Sequence, residues 1–490
     1  MAIDAAALAA GVPPPLAQGV VIDGFRLDEP LHQGGMATLW RVTRLDGSDP
    51  LPIIMKVPRI KGGDDPTTVV GFEVEQMILP ALAGPHVPRY IAKGDFTGQP
   101  YIVMERIGGD SLRARLDRAP LPVDEVVDIG WKVATALHDL HRQHVVHLDV
   151  KPSNILFRAS GEAVLVDFGL SRHDRLPDLL EEEFELPMGT APYMSPEQVQ
   201  FVRNDPRSDL FSLGVMLYHF TTGQRPFGNP SSVRGLRKRL FHDPAPPRAL
   251  RADCPPWLQE IVLRCLEVDP ARRHQSGAQL AFELQNPEQV VLTQRAENRP
   301  AGGIGRSMKR WFAAMGAEPK ASGATVQTAR SPIVLAAVDV ASAEPPLLEA
   351  IQVAVQRVVQ TEPGARLACL AVMKTNYIGM DELMDADGRS RHVNLLVQLK
   401  HWARPVVQAL TAAKTLAPHE QDARITFHVI EAPDPAAAIV EYARKNQVDH
   451  IVMGARSSSM LRRYLGSVSA QVVAESDCTV TVVRAPDAAH

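Results

Sequence analysis

The densest chemistry in this chain lies between His147 and Gly169, where HLDVKPSN is soon followed by DFG. A carboxylate at Asp149, an ammonium at Lys151, an amide at Asn154 and a second carboxylate at Asp167 arrive close together. Moving a phosphoryl group asks little covalent work of a protein. It needs a group that orients the attacking hydroxyl, cations beside the phosphates, and oxygen ligands for Mg2+. Asp149 suits the first task and Lys151 the second. Asn154 and Asp167 suit the third, because an amide carbonyl and a carboxylate are the hard oxygen donors that Mg2+ prefers.

Matching parts lie upstream. IIMK ends an apolar run at Lys56, a costly place for an ammonium unless it is paired. Glu75, in the helical stretch FEVEQMILPAL, is the partner that would hold Lys56 against phosphate. HQGGMATLWRV carries Gly34 and Gly35 in a turn between strands, where backbone amides would cover phosphate. YIVMERIGGDSL is an apolar strand that ends at a Gly-Gly turn. Its Met104 and Glu105 would present backbone groups to an adenine edge.

The elements that must position these groups change along the chain. Val21–Leu27, Thr38–Val42 and Ile53–Val57 are strand-like runs bounded by Gly, Pro or Asp. From Val126, Val127, Ile129 and Val133 to Ala136, Leu137 and Leu140, apolar residues recur at helical spacing. A small sheet-rich lobe is therefore expected to precede a larger helical one. After residue 332 the texture alternates. Ile333–Val340, Leu367–Met373, Ile425–Ile430, Ile451–Gly454 and Thr479–Val483 are apolar runs, with helical stretches near 345–360, 391–416 and 434–446 between them. Such alternation predicts a parallel, doubly wound α/β sheet.

Composition bounds the remainder. The chain has 490 residues, 45% hydrophobic and 22% charged, which suits a multidomain globular protein. Its 52 basic and 56 acidic side chains give a net charge of −4, so there is no global basic field for nucleic acid. No apolar run approaches the ~18 residues needed to span a bilayer. The Ala-rich start lacks the basic residues of a signal peptide, so the expected location is the cytoplasm. Cys254, Cys265, Cys369 and Cys478 are far apart and read as reduced, buried thiols. The divisions expected are a flexible terminus over 1–20, a catalytic unit over 21–285, a linker over 286–331 and a second unit over 332–490.

Together these motifs resemble the eukaryotic-type serine/threonine protein kinases found in bacteria. The resemblance covers roughly 25–285 and is ordered: glycine-rich loop, Lys56, Glu75, His147–Asn154, Asp167–Phe168–Gly169, then GTAPYMSPE ending at Glu197. SDLFSLG, with Asp209, and DPARR, with Arg273 as the partner of Glu197, complete it. It implies a bilobal α+β kinase fold that uses ATP and Mg2+ and acts on a protein substrate. Lys151 and Thr190 resemble the serine/threonine branch. His32 and Ala37 stand where the family's loop usually has its first and third glycines, which would weaken nucleotide affinity. Leu148 replaces the arginine that grips a phosphorylated activation loop in many relatives, and the loop before GTAPYMSPE offers only Ser171. The kinase is therefore expected to need no activation-loop phosphate. The run Glu181–Glu183 reads as a solvated acidic face. The rival reading is a non-catalytic nucleotide sensor or pseudokinase scaffold.

The C-terminal unit resembles the universal stress protein family. Asp339 lies at the tip of its first strand, Gly454 closes another strand, and Gly466–Ser467 opens a helix whose amides suit an anion. Nucleotide-binding members carry G-x-x-G, nine residues, then G-S/T. Here Ser457 takes the second glycine's place and eight residues precede Gly466. Two readings stand: a second nucleotide site at Asp339, Gly454, Gly466 and Ser467, with Arg456, Arg462 and Arg463 nearby, or a domain that forms a homodimer through its last strand. Ser457, Ser458 and Ser459 would be the acceptors if the kinase phosphorylates itself. In the linker, GRSMKRWFAAMG is a short basic amphipathic segment that would dock within the chain or act as a tether. Stable membrane contact is not expected of so short a segment.

Overall fold

The computed structural model describes residues 16–34, 36–47, 51–59, 66–94, 99–183, 187–297, 332–361, 365–375, 391–412, 424–455 and 467–484. Gly35, Gly466, Arg456, Ser457–Ser459, Arg462, Arg463 and the basic linker segment lie outside them.

Alternating side chains build the small lobe. Its elements are β1 (Val21–Ile22), β2 (Phe25–Gln33), β3 (Ala37–Arg44), β4 (Ile53–Pro58), helix α1 (Pro66–Ile78), β5 (Tyr90–Gly94) and β6 (Tyr101–Glu105). The strands form an antiparallel sheet in the order β1-β2-β3-β4-β6-β5. Leu27, Val42, Met55, Val57 and Val103 are buried in one cluster. Ile102 and Met104, the alternate residues of β6, join Val70, Val74 and Ile78 of α1 in another. That is the two-residue period of a sheet covered on both faces. The run Val21–Leu27, expected as one strand, is a hairpin. Asp23 and Gly24 both take positive φ, 46° and 84°, which suits the two-residue turn between antiparallel strands.

In the large lobe α2 (Val123–Arg142) buries Val126, Ile129, Val133, Ala136, Leu137 and Leu140 along one stripe. Asp124 and Glu125 at its start and His141 and Arg142 at its end complement the helix dipole. Short antiparallel pairs follow, β7 (Val145–Val146) with β10 (Arg172–His173) and β8 (Ile155–Phe157) with β9 (Ala163–Leu165). They pin the two ends of the loops that carry the expected catalytic groups. Beyond them come α3 (Leu179–Glu183), α4 (Arg207–Thr222), α5 (Pro256–Cys265) and α6 (Gly277–Gln285). Helix α4 is buried along nearly its whole length and forms the lobe's centre. The chain then continues over 287–297 against α5. There Arg295 pairs with Glu260 at 3.0 Å and Glu267 at 2.9 Å.

The C-terminal domain has a five-stranded, wholly parallel sheet in the order β13-β12-β11-β14-β15. Its elements are β11 (Ile333–Ala337), α7 (Pro345–Thr361), β12 (Arg366–Lys374), α8 (Arg391–Ala412), β13 (Ile425–Ala432), α9 (Pro435–Lys445), β14 (His450–Gly454), α10 (Ser467–Glu475) and β15 (Thr479–Val483). Val334, Ala336, Leu367 and Cys369 pack with Ile351, Val355, Leu399 and Val406 of α7 and α8. Their neighbours Leu335, Ala337, Ala368 and Leu370 pack with Ile439 and Val440 of α9 and Val472 of α10. Strands buried on both faces read as continuous apolar runs, which is why the sequence showed them so clearly.

The two domains are joined. One cluster of buried apolar side chains runs through both the kinase helices and the α7–α8 face of the second sheet. Within the acidic run Glu181–Glu183, Glu182 departs from the expected solvated role. The Glu182 side chain is only 10% exposed and sits between Arg366, at 2.6 Å, and His428, at 3.0 Å, both from the C-terminal domain. Burial pushes the Glu182 carboxyl up. The hydrogen bond and charge of His428, with Arg366, outweigh that and hold it at about 2. A carboxyl depressed in the folded state stabilises fully above its unfolded pKa and loses that contribution as pH falls through the folded value. Glu182→Gln should therefore cost on the order of 3 kcal/mol above pH ~5, a difference that shrinks toward zero near pH ~2. Urea unfolding of both proteins across that range checks it, and a penalty that does not change with pH would count against the ion pair.

Candidate active site

Strand β4 delivers Lys56 to the lobe interface, and α1 delivers Glu75, buried at 2% exposure. Lys56 Nζ lies 2.5 Å from Glu75 Oε2 and 2.8 Å from Asp167 Oδ1. One ammonium thus ties the small-lobe sheet, its helix and the DFG turn of the large lobe. Burial works against the charge on Lys56, but Asp167 and Glu75 outweigh it and raise its pKa. The same contact holds the Asp167 carboxyl well below the usual carboxylate range. Helix α1 reaches the DFG turn through glycine on both sides. A Cβ on Gly71 would stand 3.0 Å from the Gly169 carbonyl oxygen, and one on Gly169 would stand 3.2 Å from that of Gly71.

The loop between β7 and β8 gathers the remaining groups around one carboxylate. Asp149 Oδ1 accepts from the Thr190 hydroxyl at 2.6 Å and its amide at 3.0 Å. Lys151 Nζ donates to Asp149 Oδ2 at 2.6 Å and to Thr190 Oγ1 at 3.0 Å. Asn154 Nδ2 donates to the Asp149 carbonyl at 3.1 Å and to Oδ2 at 3.2 Å. Its amide nitrogen being so engaged, Asn154 has its oxygen as the group for a metal. Asp167 supplies a carboxylate that is 47% exposed to the cleft. The donor set fits Mg2+.

This loop is held from beneath. Asp209, fully buried, accepts from the amides of His147 and Leu148, both at 2.9 Å, and contacts His141 Nε2 at 2.8 Å. Leu148 and Asp167 both take positive φ, 62° and 67°, a conformation that costs a residue with a side chain. The Asp209 bonds offset that cost at Leu148. The His147 ring packs on Phe168 with centroids 5.2 Å apart and lies 3.2 Å from the Val166 carbonyl. Ser171 is buried and donates to the His147 carbonyl at 3.0 Å, so the hydroxyl between the DFG and GTAPYMSPE motifs is a structural donor.

Glu197 and Arg273 form a bidentate buried pair at 2.6 and 2.8 Å. Ser208 adds a hydrogen bond to Glu197 at 2.9 Å. Sequence reasoning missed three supports. Gln198 Nε2 donates to the Leu148 carbonyl at 2.7 Å, tying the GTAPYMSPE segment to the catalytic loop. Arg239, fully buried, donates to the carbonyls of Ala191, at 2.7 Å, and Met194 in the same segment. His141 is the third. Gln198 adjoins a recognised motif and was within reach, whereas nothing in the sequence marks Arg239.

The connector and Gly34 also make backbone hydrogen bonds. The Glu105 amide donates to the Arg89 carbonyl at 2.9 Å, and its carboxylate is taken by Arg158. Met104 is buried beside α1. Gly34 donates to the Ala37 carbonyl at 3.0 Å, and Arg59 donates to the Gly34 carbonyl at 2.9 Å. In the C-terminal domain a crevice of about 760 Å3 opens where β11 separates β12 from β14. Asp339, Gly454 and Ser467 line it, as do Arg391, Asn394 and Gln398 of α8.

Removing one partner of a buried ion pair strands the other. Arg273→Met should therefore destabilise the protein by about 3–5 kcal/mol. Chemical denaturation checks this, and a loss below ~1 kcal/mol would show that the pair does not hold the lobe together.

A protein kinase domain model matches residues 53–283, and a universal stress protein family model matches 332–484. The serine/threonine-protein kinase PknL of Mycobacterium bovis is 33% identical over 320 residues, covering 63% of this chain and 79% of the relative. The serine/threonine-protein kinase PknB of Mycolicibacterium smegmatis is 32% identical over 269 residues, covering 54% of this chain and 42% of the relative. A probable serine/threonine-protein kinase of Clostridium perfringens is 30% identical over 281 residues, covering 56% of this chain. This chain spans 40% of that relative's length. Ordered motifs, bilobal fold and relatives agree: the chain belongs to the bacterial serine/threonine protein kinase family and carries a universal stress protein domain behind its kinase domain.

Proposed function

We propose that the protein transfers the γ-phosphoryl group of ATP to serine or threonine hydroxyls of proteins. One observation carries this reading: a single carboxylate, Asp149, is bonded at once by Lys151, Asn154 and Thr190. Thr190 fixes Oδ1, and Lys151 and Asn154 hold Oδ2, so the carboxylate is set in one orientation to accept the substrate hydroxyl proton and aim the nucleophile. Lys151 neutralises charge on the group in transit. Lys56, held by Glu75, would contact the phosphates, and Asn154 and Asp167 would hold Mg2+. ATP would supply the phosphoryl group, and bound Mg2+ would offset the charge on its phosphates. Gly34 and Gly35 would cover the nucleotide, and the backbone of Met104 and Glu105 would edge its base. His147, Phe168, Gly169, Asp209, Glu197 and Arg273 keep the loops in register.

The unit boundaries follow the same reading, with a kinase unit over 21–285 strapped by residues 287–297 and the stress-type unit over 332–490. No helix among the described residues is long and apolar enough to cross a membrane. Burial raises the thiols of Cys254 and Cys265 to about 11 and about 12, which suits inert cysteines of a cytoplasmic protein. Dimerisation through β15 and nucleotide binding by the second crevice belong to the same proposal.

Asp149→Asn should lower the rate of phosphoryl transfer to a protein substrate by about 10²–10⁴-fold. Its nucleotide affinity should stay near that of the wild type. Labelled γ-phosphate with Mg2+ reads the first, and equilibrium nucleotide binding reads the second. A variant that labels its substrate as fast as the wild type would remove Asp149 from the mechanism.

A further inference from the structure

Two kinase elements must be set before phosphoryl can move: α1, which carries Glu75, and the segment after DFG. Both are gripped by the C-terminal domain. On α1, Glu73 forms an ion pair with Lys400 of α8, with both side chains about 90% buried. Lys400 also lies over the Phe427 ring, 5.3 Å from its centroid. Two residues further along α1, Glu75 holds Lys56. After DFG, α3 packs against α1 and buries Leu179 and Leu180. Its Glu182 is bound by Arg366 of β12 at 2.6 Å, His428 of β13 at 3.0 Å and Tyr442 of α9 at 3.3 Å. Lys445 donates to the Glu181 carbonyl at 3.2 Å.

We propose that the C-terminal domain acts as a built-in activator. Lys400 holds α1 through Glu73, and Arg366 and His428 hold the activation segment through Glu182. These are positioning residues for the transfer reaction, touching neither nucleotide nor substrate. The docked arrangement is the one in which Lys56 meets both Glu75 and Asp167, so the contact favours the assembled site rather than opposing it. It also accounts for what the kinase lobe lacks. Leu148 cannot grip a phosphate, and Ser171 is buried in a structural bond. A fixed carboxylate, Glu182, held by an arginine from another domain, orders the segment without modification.

The inference rests on the kinase reading, so its test uses a readout that needs no turnover. Full-length wild type would be compared with Lys400→Glu, Glu182→Gln and the charge exchange Glu73→Lys/Lys400→Glu. Backbone hydrogen exchange would be measured over 66–78 and 179–183, beside kcat and KM for ATP on a generic protein substrate. Lys400→Glu should speed exchange over 66–78 and lower kcat about tenfold, the size of an ordinary coupling between sites. Glu182→Gln should do the same over 179–183. The exchanged pair should restore both exchange and kcat, which a merely misfolded protein would not do. Wild-type exchange and kcat in both single variants would overturn the proposal, as would a rise in kcat, which would make the domain a brake. A loss that the charge exchange does not restore would also overturn it. A wild type without turnover would refute the kinase reading alone, leaving exchange to decide the clamp.

Discussion

The Lys56 ammonium is the point on which the kinase depends. It is bonded at once by the small-lobe helix, through Glu75, and by the large-lobe DFG turn, through Asp167. A largely buried cation needs compensating charge, and here the two carboxylates that supply it come from different lobes. Glu75 can reach it only if α1 lies close to the DFG turn, and the facing glycines Gly71 and Gly169 make room for that approach. The requirement of one charge thus fixes a helix, a turn and the closure of the cleft. Asp209 does comparable work below the cleft, where it holds Leu148 in a conformation the residue would not choose alone.

Much of this was legible in the sequence because chemistry and geometry coincide at short range. The phosphoryl-transfer groups sit on loops between apolar runs, and those runs declare their period. The parallel sheet was readable because its strands are buried on both faces. The hairpin at Asp23–Gly24 was missed although the pair is itself a turn signal, because the β-rich residues on either side were read as one strand. The solvated reading failed at Glu182 for a different reason. Three acids in a row look like surface unless their partners are known, and the partners of Glu182 are Arg366 and His428, far along the chain. Arg239 was invisible for a related cause: it bonds only to carbonyls, which every residue has.

The contact between domains is polar at its tips and apolar beneath. Helix α8 links the two sides, since its Leu399 and Val406 pack on its own domain's sheet while Lys400 reaches Glu73 of the kinase. The same helix offers Arg391, Asn394 and Gln398 to the crevice at the sheet's switch point. The crevice wall and the grip on α1 are therefore parts of one rigid element.

The partner of the activation segment is carried on the same polypeptide. Its local concentration is fixed by the tether between residues 297 and 332, not by how much protein is present. A segment occupied by its own chain is closed to a neighbouring copy. If that contact sets activity, each molecule would set its own state, and a population of them would respond in proportion to its numbers rather than in a burst.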